Sequence, residues 1–325
     1  VTAPDALMPD SFVLAALTMT EATAIAAAAH RGRGDETAAR EAASAAMRDR
    51  LKDLEADARI ALAETDSEDE SLAPGTTTGR GGLQMDIALK PLEGATLCAK
   101  ALPNALSAVV MGQPDSILSV PDVYMAKIAV GPGYPDDIID LDAPVAENLD
   151  ALAREKGVRV ADITACVLDR PRHTSLIGEL RETGAAVRLI SDGDIAAIME
   201  TARAEKTGLD VYMGMGGAPE GIIAAAALRC MGGQMRARLS PQGNDQREYV
   251  AASGLDPGRK YSAEELVSGD IVFSATGISG GALLQGVLAS ADGIRTHSLA
   301  MHSAPGRVRW VSTHHRHHRN GQSGG

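Results

Sequence analysis

Residues 163–233 read ITACVLDRPRHTSLIGELRETGAAVRLISDGDIAAIMETARAEKTGLDVYMGMGGAPEGIIAAAALRCMGG. Two periods alternate in this stretch. "ITACVL" (163–168), "AVRLI" (186–190) and "LDVYMGM" (209–215) are short apolar runs of strand length. "TSLIGELRETG" (174–184), "IAAIMETARAEKTG" (195–208) and "PEGIIAAAALRCMGG" (219–233) have helical length and helical apolar spacing. Strands that alternate with helices predict a parallel sheet with helical crossovers, so the fold class is α/β.

Upstream the rhythm differs. Residues 8–30 and 36–55 read as helices. "RIALAE" (59–64), "LQMDIALKP" (83–91), "ALSAVVMG" (105–112) and "VYMAKIAVG" (123–131) read as strands, the second ended by Pro91. This half is expected to be helices on a mostly antiparallel sheet. The Pro/Gly/Asp-rich stretch 131–150 is the expected crossing between halves. The division is then 1–140 and 141–313, with 314–325 a flexible His-rich tail. Downstream, "DIVFSATG" (270–277) adds a strand and 296–313 a closing hairpin around Ala304-Pro305-Gly306.

Composition narrows the function. The chain has 325 residues, 45% of them hydrophobic, enough for a sizeable core. Two Phe, five Tyr and one Trp leave that core to aliphatic residues and Met. The net charge of −12 argues against nucleic acid, whose phosphates need a basic face, but permits a small anion in a local basic pocket. Cys98, Cys166 and Cys230 form no C-x-x-C pair and read as reduced thiols of a cytoplasmic protein. No signal peptide or membrane-spanning run is expected. The run "THHRHHRN" (313–320) reads as a solvated tail, with at most loose metal affinity.

Ligands of parallel sheets gather at the carboxyl ends of strands. Three such ends are polar here. After "ITACVL" come Asp169-Arg170-Pro171-Arg172-His173, whose two guanidinium forks suit a phosphate. After "AVRLI" come Ser191-Asp192-Gly193-Asp194, acceptors for sugar hydroxyls. After "LDVYM" comes a glycine-rich loop, Gly214 to Gly221, feeding a helix N-terminus, an arrangement that suits an anion or a metal. Each also has a plainer reading. Asp194 is then a helix cap worth about 1 kcal/mol, Glu220 a complement to a helix dipole, the arginines solvated, and Tyr124 a packing aromatic.

With these loops stand "GRGDE" (32–36), "PLEG" (91–94), "PDVYM" (121–125), "GPGYP" (131–135), "GGAPEG" (216–221) and "FSATG" (273–277). In this order the motifs resemble those of the class II fructose-1,6-bisphosphatases, members of the lithium-sensitive phosphatase group. The resemblance runs from the first helix to Trp310. It implies a layered α/β sugar phosphatase that removes the 1-phosphate of fructose 1,6-bisphosphate with Mg2+ or Mn2+, in gluconeogenesis or the Calvin cycle. It also implies a homo-oligomer. By motif, Tyr124, Arg170, Pro171, Arg172, Asp192, Gly193, Asp194 and Gly217 would hold substrate, with Glu93 and Gly94 at the reacting phosphate. Glu64, Glu93 and Glu220 would hold metal, and Glu68 would stand near the attacking water.

The metal side departs from the pattern. The family loop Asp-Pro-x-Glu-Gly-Thr here reads Lys90-Pro91-Leu92-Glu93-Gly94-Ala95. A metal aspartate thus becomes Lys90, and the threonine that would help position the water becomes Ala95. A further metal aspartate becomes Arg40, and Glu68 replaces a catalytic aspartate. Two anionic ligands have become cations, each worth on the order of 4 kcal/mol against another unit charge at about 4 Å. Two outcomes are expected. Either the chain is a class II phosphatase with weak or lost activity, or it is a non-catalytic sugar-phosphate-binding paralogue or regulatory subunit, assembling with an active relative. Arg40 and Lys90 either neutralise the phosphate directly or pair with Glu64, Glu68 or Glu93.

Overall fold

A computed structural model describes residues 7–63 and 70–316. Helices α1 (Ser11–Ala28) and α2 (Glu36–Lys52) lead into strands β1 (Ala56–Leu62), β2 (Thr77–Thr78) and β3 (Leu83–Glu93). Helix α3 (Ala95–Ala99) and strands β4 (Leu106–Gly112) and β5 (Tyr124–Val130) follow. Next come α4 (Val145–Lys156), β6 (Thr164–Leu168), α5 (Thr174–Glu182), β7 (Ala186–Ile190), α6 (Asp194–Thr201), α7 (Ala204–Thr207), β8 (Val211–Gly217) and α8 (Ala218–Met231). The chain continues through β9 (Gln234–Ser240), α9 (Gly243–Ala252), β10 (Tyr261–Ser262), α10 (Ala263–Leu266), β11 (Ile271–Gly277), β12 (Leu288–Ser290), β13 (Gly293–His302) and β14 (Arg307–Arg316).

The strands form two sheets. An eight-stranded sheet runs β12-β13-β11-β4-β3-β1-β2, with β14 paired to β13. A six-stranded sheet runs β10-β9-β5-β8-β6-β7. The second sheet departs from the all-parallel expectation. Strands β7, β6 and β8 are parallel to one another. Strand β5 pairs antiparallel with both β8 and β9. The sheets also do not divide the chain near residue 140. Strand β5 precedes that point yet lies in the second sheet, while β11 to β14 return to the first. Sheet partners are chosen by apolar faces far apart in sequence, which local periodicity does not encode.

Burial follows the two-residue period of the second sheet. Ala165, Val167, Val211 and Met213 face one way, onto Leu149 and Leu152 of α4 and Ile177 and Leu180 of α5. Cys166 and Tyr212 face the other way, onto α6 and α8. Helix α8 touches strands of both sheets. It is buried nearly all round, as a helix between two apolar faces must be, and its Ala224–Ala227 run lets the sheets approach closely. This layer removes the need for aromatic bulk.

Helix α1 is long and apolar enough to cross a membrane by length and composition. Here it packs on β11 and β13, where its Thr20 and Glu21 bond to the sheet hydroxyls of Ser274, Thr276 and Thr296. The expected crossing at 131–150 already contains the start of α4, and the alternating segment "QMRARLS" forms β9. Strand β14 carries His314 and His315 as far as Arg316, so 314–316 are strand rather than the expected tail, and the rest of that segment lies outside the described residues.

Candidate functional site

The topology brings many strand ends to one place. Strands β1 and β3 are parallel, and so are β6, β7 and β8. Strand β5 runs against β8, so its first residue, Tyr124, pairs with Gly217 at the end of β8. Between these ends lies a cleft of ≈ 310 Å³. Its lining includes Arg40, Ala63, Lys90, Glu93, Gly94, Ala95, Asp122, Tyr124, Arg170, Arg172, Asp192, Asp194, Gly217 and Glu220. Residues from 40 to 220 meet here. Pro171 and Gly193 are not among its lining. Pro171 starts a short 3-10 turn, and Gly193 precedes α6 with a left-handed φ of 86°. Glu64 and Glu68 lie outside the described residues.

One irregularity shapes the floor. Strand β3 continues through Pro91 to Glu93 rather than ending at the proline. Its register against β4 slips between Lys90 and Glu93, opposite Ala108 and Leu106. A bulge therefore holds the proline, which has no N–H to give the ladder. Residues three apart in a regular strand face opposite ways. The bulge turns Lys90 and Glu93 to the same side, where Lys90 Nζ lies 3.9 Å from Glu93 Oε2 and donates to Glu220 Oε1 at 2.6 Å. Lys90 is 5% exposed and Glu93 2%.

The charges respond to burial and to one another. Burial alone would push Glu220 up; the Lys90 charge and hydrogen bond, with Lys127 behind, overcome this and hold it at about 2. Glu93 goes the opposite way. Burial drives its carboxyl well above the usual range, and Asp194, Glu220 and Asp192 add to the effect against the pull of Lys90. Its Oε1 accepts from the Ile195 N–H of α6 at 3.2 Å. Asp192 is raised too, mainly by burial.

The second acidic loop rests on a residue that sequence reasoning missed. Lys127, in the middle of β5, is 1% exposed. Its ammonium donates to Asp194 Oδ2 and, at 3.2 Å, to the Gly217 carbonyl. The available signal was one lysine inside the apolar run "VYMAKIAVG". The glycine run makes room for these groups. It forms the end of β8 rather than the expected loop. A Cβ on Gly216 would stand 2.4 Å from Asp194 Oδ2, and one on Gly217 would stand 1.9 Å from Glu220 Oε2. Gly216 and Gly217 thus leave room for these two carboxylates, and both line the cleft at the start of α8.

On the opposite wall, the Arg172 guanidinium donates through Nε and Nη2 to the Met215 carbonyl at 3.1 and 2.8 Å. It also lies 4.7 Å from the Tyr124 ring centroid. Tyr124 is 40% exposed and faces the cleft, so it is not a core packing aromatic. His173 locks this wall from behind. Its Nε2 accepts from the Met215 N–H at 2.8 Å, so its proton sits on Nδ1 and is donated to the Leu168 carbonyl at 2.7 Å. Burial lowers its pKa and keeps the ring neutral.

Comparison with known proteins gives the family. A family profile described as bacterial fructose-1,6-bisphosphatase, glpX-encoded, matches residues 10–315. The chain belongs to the class II fructose-1,6-bisphosphatase family. A D-fructose 1,6-bisphosphatase class 2/sedoheptulose 1,7-bisphosphatase of Synechococcus sp. (strain JA-3-3Ab) is 35% identical over 336 residues, covering 95% of this chain and 96% of that protein. A protein of the same description from Trichodesmium erythraeum (strain IMS101) is 34% identical over 323 residues, covering 91% and 93%.

The class II family is in general dependent on divalent metal, which needs several oxygen ligands converging on an open position. Among the described residues of this member, no group of three His, Cys, Asp or Glu side chains is placed to hold a metal ion. Glu93 and Glu220 converge, but both are turned to the Lys90 ammonium. Ala95, at the first position of α3, offers no hydroxyl. These residues do not fit a divalent cation at that position.

Proposed function

We propose that this class II family member binds a sugar bisphosphate in the cleft without metal and has lost the family's metal-dependent hydrolysis. The observation that carries the reading is Lys90. Its buried ammonium sits 2.6 Å from Glu220 and 3.9 Å from Glu93, a tethered cation between two carboxylates. A divalent ion entering there would have to displace a charge of its own sign.

The remaining walls support the ligand class. Arg170 and Arg172 offer planar forks to a phosphate, and Asp192 and Asp194 offer acceptors to sugar hydroxyls. Among the described residues, four cationic side chains line the cleft, Arg40, Lys90, Arg170 and Arg172, against five carboxylates. Burial favours the neutral form of Glu93 and raises Asp192 as well. Among the described residues this balance leaves room for an anion without an added metal. The names of the relatives point to fructose 1,6- and sedoheptulose 1,7-bisphosphate as the ligands to try. A cytoplasmic protein working beside an active relative of the same family is the setting this reading suggests.

A second reading is residual hydrolysis. It is favoured by the gathering of Glu93, Asp192 and Glu220 in one cleft with the two arginines. Calorimetric titration with fructose 1,6-bisphosphate in the presence of a chelator tests the first. Wild type is expected to bind, and Arg170→Ala and Arg172→Ala to weaken binding about 10- to 100-fold, the range of hydrogen bonds to charged groups. Binding that needs added manganese would contradict it.

A further inference from the structure

We propose that Lys127, which does not line the cleft, is a positioning residue that fixes Asp194 as the sugar-hydroxyl acceptor of the site. The inference rests on the sugar-bisphosphate reading above and extends it to a residue outside the cleft. Lys127 reaches Asp194 from behind. The first residue of α6 and the last residue of β8 are tied through this one ammonium, which donates to Asp194 Oδ2 and to the Gly217 carbonyl. Tyr212, also buried, places its hydroxyl 3.5 Å from the same Oδ2. With Oδ2 held from the rear, Oδ1 is left for a hydroxyl in the cleft.

The packing around Lys127 is tight. A Cβ on Gly216 would come within 2.4 Å of Asp194 Oδ2 and 2.9 Å of Lys127 Nζ, and one on Gly221 within 2.5 Å of Met125 Sδ and 3.2 Å of Lys127 Cδ. Two positions on different elements are therefore without side chains where the lysine passes. Stability is a poor reason for such an arrangement. A buried ion pair loses so much hydration that apolar residues of similar size are often at least as stable. What the pair supplies is direction. It holds a carboxylate pointed in one way, so a hydroxyl meets an acceptor already in place.

The test separates hydroxyl recognition from general damage by using two ligands. Fructose 1,6-bisphosphate carries ring hydroxyls, and 1,6-hexanediol bisphosphate carries two phosphates without them. Both are titrated calorimetrically, in chelator, into wild type, Lys127→Met and Lys127→Met/Asp194→Asn. Lys127→Met is expected to lose about 10- to 100-fold in affinity for the sugar and to stay within about twofold for the diol. Should Lys127→Met alone fail to fold, Lys127→Arg, which keeps the charge but not the ammonium's placement on Asp194, carries the same comparison with the same expectation, and the double variant marks the loss expected when the acceptor itself is gone. Equal losses for both ligands would mean a merely structural role and overturn the inference, as would unchanged sugar affinity. Wild type that binds no sugar bisphosphate overturns the reading beneath it as well, and so is told apart from failure of the inference alone.

Discussion

Replacing Lys90 by methionine removes the cation of the cleft and keeps its bulk. Glu220 then stays buried without its main partner. In the intact protein Glu220 is held at about 2, against an ordinary carboxylate value of about 4.3. At 1.36 kcal/mol per pH unit this corresponds to roughly 3 kcal/mol favouring the ionised carboxylate. That agrees with the roughly 3–5 kcal/mol lost when one partner of a buried pair is removed. Urea unfolding at pH 7 should therefore show Lys90→Met less stable by about 3 kcal/mol. Lys90→Met/Glu220→Gln should recover most of the loss, since neither charge remains. The pH dependence has a definite sign. A depressed carboxylate contributes stability that is complete above its unfolded pKa and is lost as pH falls through the folded value. The gap between wild type and Lys90→Met should shrink as pH is lowered from about 4.5 towards 2. A variant as stable as wild type at pH 7 would refute the pairing on which the proposed function rests.

Three further outcomes are expected. Glu93 has a raised pKa, so its ionisation costs stability as pH rises from its unfolded value through its folded one; Glu93→Gln should gain stability over wild type progressively above about pH 4.5, read by urea midpoint. His173 is held neutral with a lowered pKa, so its contribution is complete above about pH 6.5 and lost as pH falls through the folded value. His173→Gln should remove that part of the midpoint's pH dependence and loosen Met215 and Arg172. Gly217→Ala places a methyl group where Glu220 Oε2 lies. It should keep the far-ultraviolet circular dichroism of wild type while weakening sugar-bisphosphate binding by about tenfold or more, measured by calorimetry.

Much of the fold was legible from local pattern. The alternation over 163–233 gave β6, α5, β7, α6, β8 and α8 in the right order, because each apolar run has a period that its own length reveals. Sheet membership was not legible. Strand β5 looks the same in sequence whether it joins the first sheet or the second, and only distant partners decide. The bulge at Pro91 was hidden for a related reason. A proline after an alternating run reads as an end, and only pairing with β4 shows that the strand goes on.

The site was readable where loops follow strands, since Arg170, Arg172, Asp192 and Asp194 are polar residues at predictable strand ends. Lys127 escaped because one charged residue in an apolar strand gives no hint of its partner 67 residues away. The glycines of 214–221 were noticed, but the clearance that Gly216 and Gly217 give to Asp194 and Glu220 was not, because a sequence shows missing side chains without showing what fills the space. Of the two fates considered for Lys90, the structure places it against Glu93, one of the expected partners, and more closely against Glu220.

The proposed function has a tethered ammonium, Lys90, in place of metal chemistry in an otherwise retained sugar-bisphosphate cleft. Phosphate release from fructose 1,6-bisphosphate with added manganese tests it most directly, comparing wild type with an Arg40→Asp/Lys90→Asp/Ala95→Thr variant. No release is expected from wild type, and measurable release from the triple variant. Release by wild type that a chelator abolishes would contradict it.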